Sequence, residues 1–354
     1  MKTYNVIGIM SGTSLDGLDF AYCKFSFKQG KWKYQIQKAE TIPYSPKWGK
    51  RLKNLPKDSA LEFAQTNTDY GHYIGEMVSA FISKHKLEVD FISSHGHTIF
   101  HQPKLRFTSQ IGDGASIAAE TSLDVICDFR SLDVALHGQG APLVPIGDRE
   151  LFSEFDYRLN LGGFANISFE ENEKTLAFDI APANIALNYY AEKIGYPFDK
   201  NGAIAKRGEL IPELLKKLNA LPYYQISGSK SLGREWLETE FLSLIDSSYP
   251  IPDVLSTLVH HLSHQISLVI NKSTKKNSQI LITGGGAYNS FLVERLRKKT
   301  KIEIIIPSDN LIQFKEALIF AFLGVLRVEN QINTLKEVTG ARRDSIGGAI
   351  YKGK

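Results

Sequence analysis

Apolar and polar positions along this 354-residue chain fall into runs that predict strands and helices in a repeated order. Val6 to Met10 is a continuous apolar run. It breaks into Ser-Gly-Thr-Ser and then Asp-Gly. After Gly17, Leu18, Phe20 and Tyr22 alternate with Asp19, Ala21 and Cys23. This predicts a strand, a small-residue turn and a returning strand. A second turn at 28–31 and a third strand at 32–44 complete a meander. Phe63, Tyr70, Ile74, Met77, Val78 and Phe81 recur at helical spacing and predict a helix over 61–85. A strand at 91–94, a helix at 115–121 and a strand at 125–129 follow.

The middle of the chain repeats that order. Strands are predicted at 157–161, 164–169 and 175–180, with Gly162-Gly163 as the first turn, and a helix at 184–194. Then come a long helix at 254–270, a strand at 280–283, Gly284-Gly285-Gly286, a strand at 302–306 and a helix at 313–328. No internal sequence repeat accompanies the repeated order, so the duplication is one of architecture. The expected fold class is α/β: two similar domains, each a mixed sheet with covering helices, around a central cleft into which each glycine turn points.

Composition narrows the function without naming it. Hydrophobic residues make up 43% and charged residues 23%, an ordinary globular balance, and the net charge of +4 is small for the length. No basic run and no nucleic-acid motif argues for a nucleic-acid partner. The longest apolar stretch, 317–326, is too short to span a bilayer, and the N-terminus does not read as a signal peptide. The expectation is a cytoplasmic protein without a membrane partner. Cys23 and Cys127 lie in apolar runs and read as buried reduced thiols.

The first turn has chemical potential. Gly12 and Gly17 let the backbone turn sharply and approach a ligand. Ser11, Thr13 and Ser14 add hydroxyls, and such a concave turn suits phosphate oxygens; it also suits a plain hairpin. Asp16 or Asp19 could hold a metal ion that offsets phosphate charge. No Lys follows the second Gly, as a Walker A loop requires. The turn leads into a strand, unlike a dinucleotide fingerprint. His95, His97 and His101 lack zinc spacing and a completing Cys or Glu, so a substrate-facing loop is the better reading. His260 and His264 read as solvated histidines on a helix face, because position 261 is His and not the Glu of a zinc protease.

Eight stretches now combine: IMSGTSLDGLD (9–19), SHGHTIFHQP (94–103), QIGDG (110–114), DFRSLDVALHGQGAPLVP (128–145), LNLGGFANIS (159–168), SLGRE (231–235), ITGGGAYN (282–289) and VTGARRDSIGGA (338–349). In this order they resemble the anhydro-N-acetylmuramic acid kinase family, within the actin-like and hexokinase-like ATPase superfamily. The resemblance implies two ribonuclease H-like domains, 1–131 with 336–354 and 132–335, in a homodimer of a bacterial cell-wall recycling enzyme. It implies ATP and Mg²⁺ as cofactors and an amino sugar as substrate. Water attacks the anomeric carbon of the 1,6-anhydro sugar, and the freed O6 takes the γ-phosphoryl group, giving N-acetylmuramic acid 6-phosphate.

The resemblance also assigns roles. Asp179, in AFDIAPAN, matches the family's catalytic base in Asp-Thr-Gly-Pro-Gly-Asn, with Asn184 retained as a substrate contact. Here the chain reads Ile180-Ala181-Pro182-Ala183, and alanine resists positive φ where the family has glycine. Asp179 could otherwise be a helix cap. Arg130 could grip the lactyl carboxylate of a muramic acid, or form an ion pair with Asp128 or Asp133. His97 stands where the family usually has Gln, as a substrate contact. Glu316 is a possible active-site contact. Gly162, Gly163 and Gly284 to Gly286, beside a helix start, suit adenosine or its phosphates. Two alternatives remain: a kinase for another anhydro sugar such as levoglucosan, and a non-catalytic ATP-binding protein.

Overall fold

The structure is a computed structural model that describes residues 2–12, 15–226, 228, 230–272, 275 and 277–354. In chain order the strands are β1 (Lys2–Ser11), β2 (Gly17–Lys28), β3 (Lys31–Pro43), β4 (Phe91–Gln102), β5 (Phe107–Ile111), β6 (Asp124–Cys127), β7 (Tyr157–Leu161), β8 (Phe164–Glu171), β9 (Lys174–Pro182), β10 (Gln279–Thr283), β11 (Glu303–Ile305) and β12 (Ala349–Tyr351). The helices are α1 (Pro46–Asn54), α2 (Ala60–His85), α3 (Gly114–Thr121), α4 (Ser131–Ala135), α5 (Val144–Leu151), α6 (Asn184–Glu192), α7 (Pro212–Asn219), α8 (Arg234–Trp236), α9 (Ile251–Ile270), α10 (Ser290–Arg297), α11 (Asp309–Val328) and α12 (Lys336–Thr339).

Two compact units emerge: unit 1 is Met1–Leu151 with Phe314–Lys354, and unit 2 is Phe152–Gln313. These borders differ from 131/132 and 335/336 because α5 and most of α11 pack with the first sheet. A Cβ on Gly8 of β1 would lie 2.0 Å from the Ala317 carbonyl oxygen, and one on Gly147 of α5 would lie 2.7 Å from the Ile319 side chain. The border within α11 coincides with a break in helical geometry at Phe314 (φ −110°, ψ 16°).

Unit 1 has the sheet order β12-β6-β4-β1-β2-β3, with β5 paired to β4. β1, β4 and β6 run parallel, while β2 and β3 return antiparallel. Ile7, Ile9 and Phe20 pack against Tyr70, Ile74, Val78 and Phe81 of α2. α2 starts at Ser59, whose side chain accepts from Glu62 N while the Glu62 carboxylate accepts from Ser59 N, a capping box visible in the sequence. β4 runs well past the predicted 94. His95 to His101 lie in a strand paired with β5 and not in a loop. Gly96, at φ +74°, allows that continuation, since a Cβ there would lie 2.5 Å from Ile111 O.

Unit 2 has the order β11-β10-β7-β8-β9, again with three parallel strands and two antiparallel ones. Leu159, Leu161 and Ile167 share a core with Leu255, Val259, Leu262 and Ile266 of α9. Both units therefore realise one ribonuclease H-like strand order. His261 is buried on α9, and His260 and His264 are half-buried, so the reading of solvated histidines is corrected: the helix is apolar on more of its circumference than a surface helix. Cys23 is buried and Cys127 half-buried, and both are free thiols. Among the described residues, no helix is long and apolar enough to cross a membrane.

Candidate active site

In unit 2 the β7–β8 hairpin turns through Gly162 and Gly163. Their carbonyls accept from the first N–H groups of α6: Ala183 N and Ile185 N reach Gly163 O at 2.9 and 3.1 Å, and Asn184 N reaches Gly162 O at 3.1 Å. Asn184 Nδ2 also donates to Leu161 O at 3.0 Å. The glycine run after β10 closes on the same point. Gly284 has φ +79°, and a Cβ there would lie 2.6 Å from Asn160 Oδ1; one on Gly286 would lie 2.6 Å from the Leu161 side chain. Side-chain-free backbone is thus a packing requirement at both positions. Asn184, Gly285 and Gly286 line a pocket of about 470 Å³ with Phe198, Tyr288 and Asn289, an apolar and amide wall suited to a flat polar ring. Unit 2 therefore brings Gly162, Gly163, Asn184 and Gly284 to Gly286 together.

Asp179 sits five residues before Asn184, beside a bulge in the β8–β9 ladder: Asn166 pairs with Asp179 and Ala165 with Ala181, leaving Ile180 extra. Bulges of this kind re-aim side chains. Leu232 N donates to Asp179 Oδ2 at 2.9 Å. No hydrogen bond to Oδ1 is found among the described residues, so one oxygen is held while the other is open. Burial raises the carboxyl above its ordinary range, and the Leu232 N–H partly opposes that. Asp179 caps no helix, since its side chain bonds to Leu232. Ala183 has φ −119° and Ala181 is an ordinary strand residue; neither is among the positive-φ positions, so alanine fits this backbone.

In unit 1, Ser11 and His97 are register partners across β1 and β4. Ser11 Oγ lies 2.7 Å from His97 Nδ1 and 2.6 Å from the Tyr44 hydroxyl, which bonds in turn to Tyr70. Burial pushes the His97 imidazole down to about 4, so it is neutral at pH 7. Ser11 is thus tied into a hydroxyl–imidazole network. Thr13 and Ser14 lie outside the described residues. Gly12 O accepts from Leu15 N at 3.3 Å, and Gly17 packs so closely on β3 that a Cβ would lie 2.2 Å from Ile42 O.

Arg130, just before α4, forms no ion pair with Asp128 or Asp133. Its Nε donates to His95 Nε2 at 3.0 Å and its Nη1 to Gly140 O at 2.6 Å. Asp133 instead accepts from Gly140 N and from the Thr339 hydroxyl, each at 2.7 Å. Burial lowers Arg130 to about 10, opposed by Glu316 and Asp133, and leaves it cationic at pH 7. Glu316 is exposed to solvent, yet crowding by surrounding protein raises its carboxyl; Arg130 and Lys315 oppose this and Asp19 adds to it. Glu316 therefore senses the charges of both Arg130 and Asp19.

Asp16 is exposed and Asp19 half-buried, with Thr41 Oγ1 donating to Asp19 Oδ1 at 2.5 Å. Burial raises the Asp19 carboxyl, and the Asp16 charge adds to it. Two hard oxygen donors of like charge fit the habit of Mg²⁺, which takes one or two carboxylates plus substrate phosphates. Among the described residues no group of three His, Cys, Asp or Glu could cage a metal alone. Three neighbours of Asp179 escaped sequence reading: Tyr223, Lys230 and Leu232. SLGRE was visible as a motif, but its contact with Asp179 is a fold property.

Two ribonuclease H-like units, one with a glycine-walled pocket, are the fold class of the actin-like and hexokinase-like proteins. The chain belongs to the anhydro-N-acetylmuramic acid kinase family: the family's sequence profile matches residues 4–353. A relative bearing that name in Sulfurovum sp. (strain NBC37-1) is 35% identical over 371 residues, covering 99% of this chain and 100% of its own. Another, in Legionella pneumophila (strain Corby), is 32% identical over 366 residues, covering 98% and 97%. A remote solved structure, a ROK family glucokinase from Streptomyces griseus in complex with glucose and AMPPNP, shares 12% identity at a TM-score of 0.42, covering 90% of this chain and 98% of its own. The protein is accordingly a kinase, with ATP as phosphoryl donor.

Proposed function

We propose that this kinase opens 1,6-anhydro-N-acetylmuramic acid with water and phosphorylates O6, giving N-acetylmuramic acid 6-phosphate. The observation that carries this reading is Asp179, with one carboxylate oxygen fixed by Leu232 N–H and the other open. A raised carboxyl is a better base than an ordinary one. It can take a proton from water as positive charge develops on the sugar. In unit 2, the two glycine turns would hold adenosine and phosphates, and Asn184 would contact the sugar. In unit 1, the cationic Arg130 would grip the lactyl carboxylate, with His97 and Glu316 as further sugar contacts. Ser11, Gly12, Thr13, Ser14 and Gly17 would meet phosphate oxygens, and Asp16 or Asp19 would hold Mg²⁺, which neutralises phosphate charge when bound.

The same reading makes the enzyme a cytoplasmic homodimer that serves cell-wall recycling. Its direct test is incubation with ATP, Mg²⁺ and the anhydro sugar, with mass detection of the 6-phosphate. Folded protein that yields none above a blank rejects the assignment, and faster turnover of levoglucosan would move it to another anhydro sugar.

A further inference from the structure

Described residues of the segment after α7, Tyr223, Lys230 and Leu232, lie against β9 at Asp179, and β9 is the edge strand of its sheet. Three hydrogen bonds connect them. Asp179 N donates to Lys230 O at 3.0 Å, and Leu232 N donates to Asp179 Oδ2 at 2.9 Å. The Tyr223 hydroxyl donates to Asp179 O at 2.7 Å. Lys230 Nζ then closes the loop on itself, donating to Tyr223 O at 3.1 Å and lying 4.5 Å from the Tyr223 ring centroid. Tyr223 is 6% exposed and packs its ring, tilted by 50°, with its centroid 5.2 Å from that of Trp236, so its hydroxyl is aimed by packing. The backbone N–H, backbone C=O and carboxylate of Asp179 are thus all held by one strap.

We propose that this strap is a positioning device for the base, with Tyr223 as the residue that sets the carboxylate and Lys230 as its support. The inference rests on the reading of Asp179 as base given above. Three-point attachment fixes the strand end, and the Leu232 N–H occupies one oxygen, so the remaining oxygen presents a single direction to water. Proton transfer demands that geometry within hydrogen-bond reach. An ordinary edge strand would need only its ladder covered. Here a side-chain hydroxyl and an ammonium group are added to hold the residue that carries the carboxylate.

The physical consequence has a sign. Leu232 N–H stabilises the carboxylate, so loosening the strap removes that donor and the Asp179 pKa rises. Tyr223→Phe keeps the ring packing and deletes only the hydroxyl. The full chain, labelled with ¹³C at the aspartate carboxyls, is titrated by NMR, with Asp179 assigned through Asp179→Asn. Tyr223→Phe is expected to move the Asp179 titration to higher pH, and Lys230→Met to move it less in the same direction. In turnover, kcat should fall about tenfold with the sugar KM within about twofold, and the acid limb of kcat/KM should shift the same way as the titration. An unchanged titration in folded Tyr223→Phe overturns the proposal whatever happens to kcat; if that variant does not fold, an unchanged titration in Lys230→Met does so. Because the titration needs no turnover, it judges the strap even if the wild-type chain makes no sugar phosphate.

Discussion

Strand β1 in unit 1 and strand β7 in unit 2 occupy the same place in the same strand order, each hairpinned to an antiparallel partner and flanked by a parallel one. Their ends are chemically unlike. β1 ends at Ser11, bound to the His97 imidazole and the Tyr44 hydroxyl, in a unit that also carries Arg130, Asp19 and Glu316. β7 ends at Leu161, followed by two glycines whose carbonyls receive the start of α6. Unit 2 works through backbone and amides, with Asp179 as its one titratable group among the proposed site residues. Topology is shared because both units must bury a sheet built on the same five-strand order under helices. Chemistry diverges because the buried end of β1 carries a hydroxyl with polar partners, while the buried end of β7 carries an apolar side chain against bare glycine backbone.

In the proposed mechanism proton transfer falls to unit 2 and substrate charge recognition to unit 1, and variants can separate them. The largest effect belongs to Asp179→Asn. It should lower sugar-phosphate formation by at least about 100-fold while ATP affinity stays near wild type, because the amide cannot accept the water's proton. Calorimetric ATP titration beside single-turnover assays measures both. Full activity would remove Asp179 from the base role and dissolve the division between the units.

Next comes Arg130→Ala. Loss of a charge-assisted fork should raise KM for the muramic sugar about 10- to 100-fold. KM for levoglucosan, which has no lactyl carboxylate, should hardly change. The ratio of the two KM changes is the readout. An equal change for both sugars would make Arg130 a structural brace for His95 and Gly140, the contacts it already makes. A melting curve separates that outcome from unfolding.

Much of the scaffold was legible in the sequence. The predicted helix 61–85 is α2 to within a residue, because its apolar positions keep one face. The strand 157–161 coincides with β7 for the same kind of reason. The hairpin of β4 with β5 was not legible: His-Gly-His and Gln-Pro look like turn chemistry, and only Gly96 against Ile111 reveals a bent strand. The site divides likewise. Glycines 162, 163, 284, 285 and 286 were visible as backbone without side chains, and the fold brings them to Asn184. Tyr223 and Lys230 carry no motif of their own, since their meaning depends on a contact forty-odd residues away in sequence that no local pattern encodes. Arg130 was read as either grip or ion pair with Asp128 or Asp133; the fold gives it His95 and Gly140 as partners instead, contacts that no local pattern encodes.

The smallest effect concerns acid stability, and it again separates the units. Burial holds His97 of unit 1 at about 4 and His261 of unit 2 at about 3, so both are neutral in the folded chain at pH 7. His261 is fixed by the Tyr224 hydroxyl at 2.8 Å and by Asn219 Oδ1 at 2.7 Å. In the unfolded chain each takes up a proton near the ordinary value of about 6.5. Between about 4 and 6.5 the unfolded state therefore binds more protons than the folded one, and stability rises with pH across that window. The contribution is complete above the unfolded value and is lost as pH falls, up to about 3 kcal/mol for each histidine. Hydrogen exchange followed peptide by peptide reads the units separately. His97→Gln should soften the acid loss of protection in unit 1 alone, leaving a residual slope from His95, which burial also holds far below its ordinary value. His261→Gln should soften it in unit 2 alone, at the price of weaker protection near pH 8, where two buried hydrogen bonds are disturbed. If either variant softened both units equally, acid unfolding would be one cooperative event and the histidines would report on the whole chain; unit-specific softening would show that each sheet answers to its own buried imidazole.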